Sequence, residues 1–186
     1  MIKKLFITTS LLAMVFSFAQ YRGYRNYRNY GSDKTNELKV NALSLLVYGT
    51  EIGYEKSATD NVGIGASVMI PYQNEGSPDF LKPNLNYYVS PYVRFYFNPM
   101  NSGFFFEGFG MYANRKDPNY DSSIIEATPN YSTLGLGIGG GRKWVSSSGF
   151  SLEGSAGIGR NIVLPENANL AQNFVVKVGI SAGFKF

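Results

Sequence analysis

From residue 37 to the carboxy-terminal phenylalanine, apolar and polar positions alternate with period two in one segment after another. The last segment, 174–186, shows this most fully. Phe174, Val176, Val178, Ile180, Ala182, Phe184 and Phe186 share one parity; Val175, Lys177, Gly179, Ser181, Gly183 and Lys185 share the other. Successive side chains of a strand point to opposite faces. Each such segment is therefore expected to be a strand with one apolar face and one small or charged face. The pattern predicts eight: 37–45, 49–57, 62–72, 84–97, 103–115, 131–144, 150–164 and 174–186.

The links alternate as well. Those at Ala58–Asn61, Asn98–Ser102 and Val145–Gly149 are short; those at Gln73–Pro83, Lys116–Asn130 and Pro165–Asn173 are longer and polar. Bacterial membrane barrels have short turns on one side and longer loops on the other. The first link, near Leu46 to Thr50, is short and apolar, and the pattern does not place its turn. In the fourth strand Leu85, Tyr87, Val89, Pro91, Val93, Phe95 and Phe97 are expected to face lipid, with Tyr88, Tyr92, Arg94 and Tyr96 inward. Pro91 lacks a ladder donor, which predicts a bulge. In the fifth strand Phe104, Phe105 and Phe106 cover both parities and leave its faces undecided. Arg160 falls on the outward parity, a position suited to headgroup level. Phe95, Phe97, Phe104, Phe106, Trp144, Phe150, Phe184 and Phe186 gather at one set of strand ends, and Tyr72, Tyr87, Tyr112 and Tyr131 at the other. Two aromatic belts suit a wall that crosses a bilayer. The expected fold class is all-β: a single eight-stranded antiparallel up-and-down transmembrane β-barrel.

The amino-terminal region has a different grammar. Lys3 and Lys4 precede an apolar run from Leu5 to Phe18, and Ser17-Phe18-Ala19 offers small residues for cleavage. Residues 1–19 read as a secretory signal peptide cut after Ala19. In 20–36, Tyr recurs at 21, 24, 27 and 30 and Arg at 22, 25 and 28. Period three fits neither strand nor helix, and predicts an extended or flexible periplasmic segment. Its Tyr21–Tyr30 stretch is a candidate grip for an anionic envelope polymer, with a solvated leader as the plainer reading. The barrel domain is expected over 37–186. The net charge of +4 is carried by the leader and this segment, so no basic surface for nucleic acid is expected. Charged residues are 16% of the chain, below the ~25% of soluble proteins. The chain has no Cys, which excludes a lipid-anchored lipoprotein, disulfides and thiolate metal sites.

With these features together, the mature region resembles the small eight-stranded outer-membrane barrels of the OmpA, OmpX and OmpW type. The carriers are the leader, the alternating strands, the belts and the terminal Val178-Gly179-Ile180-Ser181-Ala182-Gly183-Phe184-Lys185-Phe186. In that stretch Val178, Ile180, Phe184 and Phe186 are similar to the signal read by the barrel-assembly machinery. The resemblance implies a monomer in the outer membrane of a Gram-negative bacterium, in contact with lipid and lipopolysaccharide. It says little about activity, since this fold hosts adhesins, anchors, narrow channels and a few enzymes.

An eight-stranded barrel is only wide enough for side chains to fill it, and charges inside must be paired. A turn near Met100 and Asn101 sets Arg94 opposite Glu107, and one near Ser148 sets Lys143 opposite Glu153. Lys39 and Glu55 are expected to meet across the first hairpin. Lys177 and Lys185 are expected to face Glu37 and Lys39 across the closing seam. A plugged, salt-bridged core is the expected interior; a conduit narrowing at Arg94, Glu107 and Tyr92 is the alternative. The absence of His and Cys removes the usual nucleophile–base pairs. Glu51 and Glu55 share a face as a residual carboxylate pair, read as structural. Asp117, Asn119 and Asp121 place oxygen atoms at alternate positions of the longest link, but without the glycine and closing glutamate of a calcium loop. They read as a solvated loop, and no cofactor or metal is expected. The expected role is non-enzymatic, in envelope structure or surface contact through the outer loops. A narrow channel or carrier for a small solute ranks next, and an enzyme acting on lipid or envelope polymer last.

Overall fold

The computed structural model describes residues 34–47, 49–72, 85–116, 130–164 and 173–186. Eight strands close on themselves: β1 (Asn36–Asn41), β2 (Gly49–Ser57), β3 (Val62–Pro71), β4 (Tyr87–Asn98), β5 (Ser102–Lys116), β6 (Asn130–Val145), β7 (Phe150–Val163) and β8 (Phe174–Lys185). Each pairs antiparallel with its chain neighbours, and β1 pairs with β8. The fold is the all-β up-and-down barrel that the alternation predicts. The expected leader and Tyr/Arg segment lie outside the described residues but for the last few positions before β1. Most of the long links lie outside them too.

Period two sets the two faces. Ile64, Val68 and Ile70 of β3, Val93, Phe95 and Phe97 of β4, and Leu136 and Ile138 of β6 are exposed on the outer face. The alternate residues turn inward and are mostly buried. In β5 the ambiguity resolves by register: Phe105 and Phe109 point inward, while Phe104 and Phe106 point outward. The inward rings need space, and β6 supplies it. Phe105 lies opposite Gly141 and Phe109 opposite Gly137. A methyl group at Gly137 would overlap the Phe109 ring.

Short turns fix the register. Between β4 and β5, Met100 and Asn101 both have positive φ, 62° and 50°. That is the sense of turn that matches strand twist in tight hairpins. The Asn101 backbone N–H also donates to the Asp60 carbonyl (3.0 Å), tying this turn to the one between β2 and β3. Between β6 and β7, Gly149 takes φ 102°, a left-handed value that favours glycine.

Three expectations need correction. The first strand ends at Asn41, not at residue 45, and Ala42–Val47 form a short helix, α1. Asn41 is its cap: the side-chain Oδ1 accepts from Leu43 N (3.1 Å) and Ser44 N (3.3 Å). There is no bulge at Pro91. Val89 pairs with Tyr112 and Tyr92 with Phe109, so the register runs unbroken past Pro91 and Gly110. The carbonyl of Gly110 accepts from Ser90 Oγ (2.8 Å), which replaces the donor that proline lacks. The irregularities fall instead at Tyr96/Asn98 and Leu134/Gly135. Leu85 precedes β4 and is buried rather than outward. It joins Met69, Phe109, Met111 and Val175 in an apolar cluster in the long-link half of the interior.

Candidate functional site

The short-turn half of the interior is filled by charge. Arg94 and Glu107 are ladder partners, and Arg94 Nε lies 2.6 Å from Glu107 Oε2. The other end of the guanidinium reaches further: Nη1 is 3.0 Å from Glu55 and 2.7 Å from Glu153. Lys39 Nζ is 2.8 Å from Glu55 and 3.2 Å from Glu153. Lys143 and Glu153 are ladder partners, yet their charged atoms are 3.7 Å apart. The shorter contacts of Lys143 are to Glu37 and Glu55, both 2.8 Å. The six charged residues picked out as hairpin pairs thus converge in one buried network. β1, β2, β4, β5, β6 and β7 each contribute.

Glu55 is the hub. Its Oε2 accepts from Lys39, Arg94 and Tyr92 (2.8, 3.0 and 3.3 Å). Its Oε1 accepts from Lys143 (2.8 Å) and the Tyr96 hydroxyl (2.6 Å). Aromatic faces complete the surroundings. The Arg94 guanidinium carbon is 4.4 Å from the ring centres of both Tyr92 and Phe105, and Lys143 Nζ is 4.7 Å from that of Tyr96. Rings supply cation–π attraction to these buried cations.

Sequence reasoning missed two partners. Lys177 does not sit at the seam with β1. It crosses the interior to Glu107, with Nζ 2.9 Å from Oε1. Lys185 pairs with Glu37 in the ladder, but its ammonium donates to the Met100 carbonyl (2.7 Å). Pairing β1 with β8 stops at Asn41↔Ser181, so Lys177 lies beyond the end of that ladder. Signals for both were present in the inward parity of β8; the partner depends on how far β1 extends.

Glu51 and Glu55 share a face but belong to different surroundings. Glu51 accepts from the Asn41 amide (2.7 Å), not from the cations around Glu55. Beside it lies a cavity of about 30 Å³. Val178, Ile180, Phe184 and Phe186 all lie on the exposed outer face. Asp117, Asn119 and Asp121, and the Tyr21–Tyr30 stretch, lie outside the described residues. Among the described residues, no three acidic side chains are placed to hold a metal ion. Every charged group of the network is engaged by an opposite charge, so the arrangement ties the strands of the wall together across the interior.

A family model described as "Protein of unknown function (DUF3575)" matches residues 11–171. Among solved structures, the chain is similar to the N-terminal β-barrel domain of Pseudomonas aeruginosa OprF, with a TM-score of 0.54. That alignment covers 82% of this chain and 98% of that one at 15% identity, and is a likeness of fold. No curated protein matches the chain.

Proposed function

This chain belongs to the family of proteins of unknown function (DUF3575), and we propose that it is an integral outer-membrane protein of a Gram-negative envelope. In this reading its role is non-enzymatic: the barrel anchors outer loops that make envelope or surface contacts. One observation carries the membrane address. The wall is inside out for a water-soluble barrel, with Ile52, Ile64, Val93, Leu136, Ile138, Ile158 and Val176 exposed and Glu55, Arg94, Glu107, Lys143 and Glu153 buried. Exposed apolar patches beyond a few hundred Å² mark an interaction surface, and a continuous apolar band around a closed wall fits lipid. A soluble ligand-binding barrel would need the reverse, an apolar interior.

The aromatic belts support the orientation. Phe95, Phe97, Phe104, Phe106, Trp144, Phe150, Phe184 and Phe186 are exposed near the short turns. Tyr87 and Tyr112 contact each other near the long links, 6.3 Å between ring centres. The short turns then face the periplasm and the long links face out. Export would use a signal peptide cut after Ala19. Insertion would use the terminal Val178, Ile180, Phe184 and Phe186, read by the barrel-assembly machinery. Lipid and lipopolysaccharide would surround the wall.

The interior favours an anchor over a channel. An ion-paired layer at Glu55 and an apolar layer at Met69 and Phe109 block the axis in succession. The full-length protein should stay with membranes through carbonate and urea washes. In planar bilayers it should give no stable single-channel current. Release without detergent would overturn the membrane reading, and well-resolved currents would overturn the anchor. Trimming the link between β5 and β6 should remove a surface contact without disturbing the inserted barrel.

A further inference from the structure

Arg142 stands exposed on the outer face of β6, while its chain neighbour Lys143 is buried in the interior network. The ion pairs among the described residues lie inside the barrel, and Arg142 is in none of them. The neighbouring strands offer it no acid. The outward positions between 104 and 112 of β5, 134 and 144 of β6, and 150 and 162 of β7 hold no Asp or Glu. Its partners are rings instead. The guanidinium carbon is 5.0 Å from the ring centre of Phe104, its ladder partner on β5, and 5.0 Å from that of Trp144. Both rings belong to the aromatic band near the short turns, so Arg142 is held at the edge of the apolar wall. A cation facing lipid is costly unless its head reaches a polar partner.

The wall beside this arginine is hollow. Its ladder partner on β7 is Gly154, where an added Cβ would meet nothing within 4 Å. The next outward pair toward the middle of the wall is Gly140 and Ala156. Phe106 flanks that pair on β5 and Val178 flanks it on β8, both exposed. Ile138 and Ile158 stand beyond it, also exposed. The low ground therefore lies between large apolar side chains and ends at the guanidinium, which gives it a charge.

We propose that Arg142, held between Phe104 and Trp144, binds the phosphate of a bilayer phospholipid whose glycerol lies in the hollow at Gly154. A guanidinium presents a planar fork of donors that matches two phosphate oxygens at once. Cation–π contact needs no acceptor, so the donors of the fork remain for the anion. The long stem lets the head reach headgroup level from the edge of the apolar band. Gly154 leaves room where the head and the acyl chains join. A lone cation on a stretch of wall without acids selects an anionic head over a cationic one. The proposal rests on the outer-membrane reading. In that reading the short turns face the periplasm, and the lipid belongs to the inner leaflet.

The test uses the full-length protein refolded in dodecyl maltoside micelles, which carry no phosphate. Phosphatidylglycerol with brominated acyl chains is titrated in, and quenching of Trp144, the chain's single tryptophan, is read. Saturable quenching is expected. Diacylglycerol with the same brominated chains lacks the phosphate and should bind roughly tenfold more weakly, the scale of a lost charge-assisted contact. Arg142→Gln should weaken phosphatidylglycerol binding by a similar factor. Gly154→Leu fills the hollow and should weaken it as well. Lys56→Gln removes another exposed cation near the short turns, on β2, and should leave binding unchanged. Folding of each variant is checked by far-ultraviolet circular dichroism. Equal quenching by the diacylglycerol, wild-type affinity in Arg142→Gln or Gly154→Leu, or an equal loss in Lys56→Gln would overturn the site. The membrane reading is judged separately, by whether the protein stays folded and soluble once detergent is removed.

Discussion

Glu55 offers the sharpest test of the interior. It is 2% exposed and accepts from three cations and two tyrosine hydroxyls. Glu55→Leu deletes that charge and leaves Lys39, Arg94, Lys143 and Lys177 facing three carboxylates instead of four. Removing one partner of a buried pair costs about 3–5 kcal/mol, because the other charge stays buried without compensation. That is roughly a 10²- to 10⁴-fold change in the folding equilibrium, and a large share of the ~5–15 kcal/mol typical of a domain. Glu55→Gln keeps the volume and one acceptor oxygen, so it separates the charge from the packing. It turns an N–H₂ group toward donors and should fall near the lower end of that range. Glu51→Gln keeps its acceptor for Asn41 and should cost under about 1 kcal/mol, since it breaks no ion pair among the described residues. The assay is urea unfolding of protein refolded into lipid vesicles, followed by fluorescence of Trp144, the chain's single tryptophan. If both Glu55 variants lose less than about 1 kcal/mol, the network behaves like an exposed pair screened by water. The interior would then be open to water rather than plugged.

Other outcomes follow from the wall and its seam. Gly137→Val drives a side chain into the Phe109 ring and should cost about 1–3 kcal/mol or more by overpacking. Gly154→Ala, where an added Cβ meets nothing within 4 Å, should be close to neutral in the same unfolding assay. Asn41→Ala removes the α1 cap and the seam bonds. It should cost about 1–2 kcal/mol and speed hydrogen exchange at the Ile180 amide relative to Ile158; unchanged exchange would show that the seam holds without Asn41. Trp144 stands on the exposed outer face beside Arg142. In vesicles its emission should be quenched more by nitroxide lipids labelled near the headgroup than by those labelled at the chain end. The opposite order would refute the periplasmic belt.

The wall was legible because strand parity and tight turns are local. A turn at Met100 and Asn101 is enough to set Arg94 opposite Glu107, and the ladder pairs them. The Phe104–Phe106 run was not legible, since all three are apolar; the glycines of β6 decide which ring goes in. Pro91 misled for a similar reason. Its missing donor is replaced by the Ser90 hydroxyl on Gly110, a contact between strands that no single-strand pattern contains. The interior shows the same limit on a larger scale. Hairpin arithmetic yields isolated pairs, but the barrel is too narrow to keep them apart. Lys143 therefore reaches Glu37 and Glu55 from far along the chain, closer than its own ladder partner Glu153. The seam depended on one residue. Asn41 sits where a strand could continue into Ala42-Leu43, yet its side chain caps α1 instead. Stopping β1 there leaves Lys177 without a neighbour across the seam and sends it to Glu107. It also leaves Glu51 with no ion pair among the described residues, at a stretch of wall where the Asn41 side chain stands in for the ladder. A β1 extended to residue 45 would pair β8 as far as Lys177 and close most of that stretch, so the short helix and the unpaired carboxylate have a common cause.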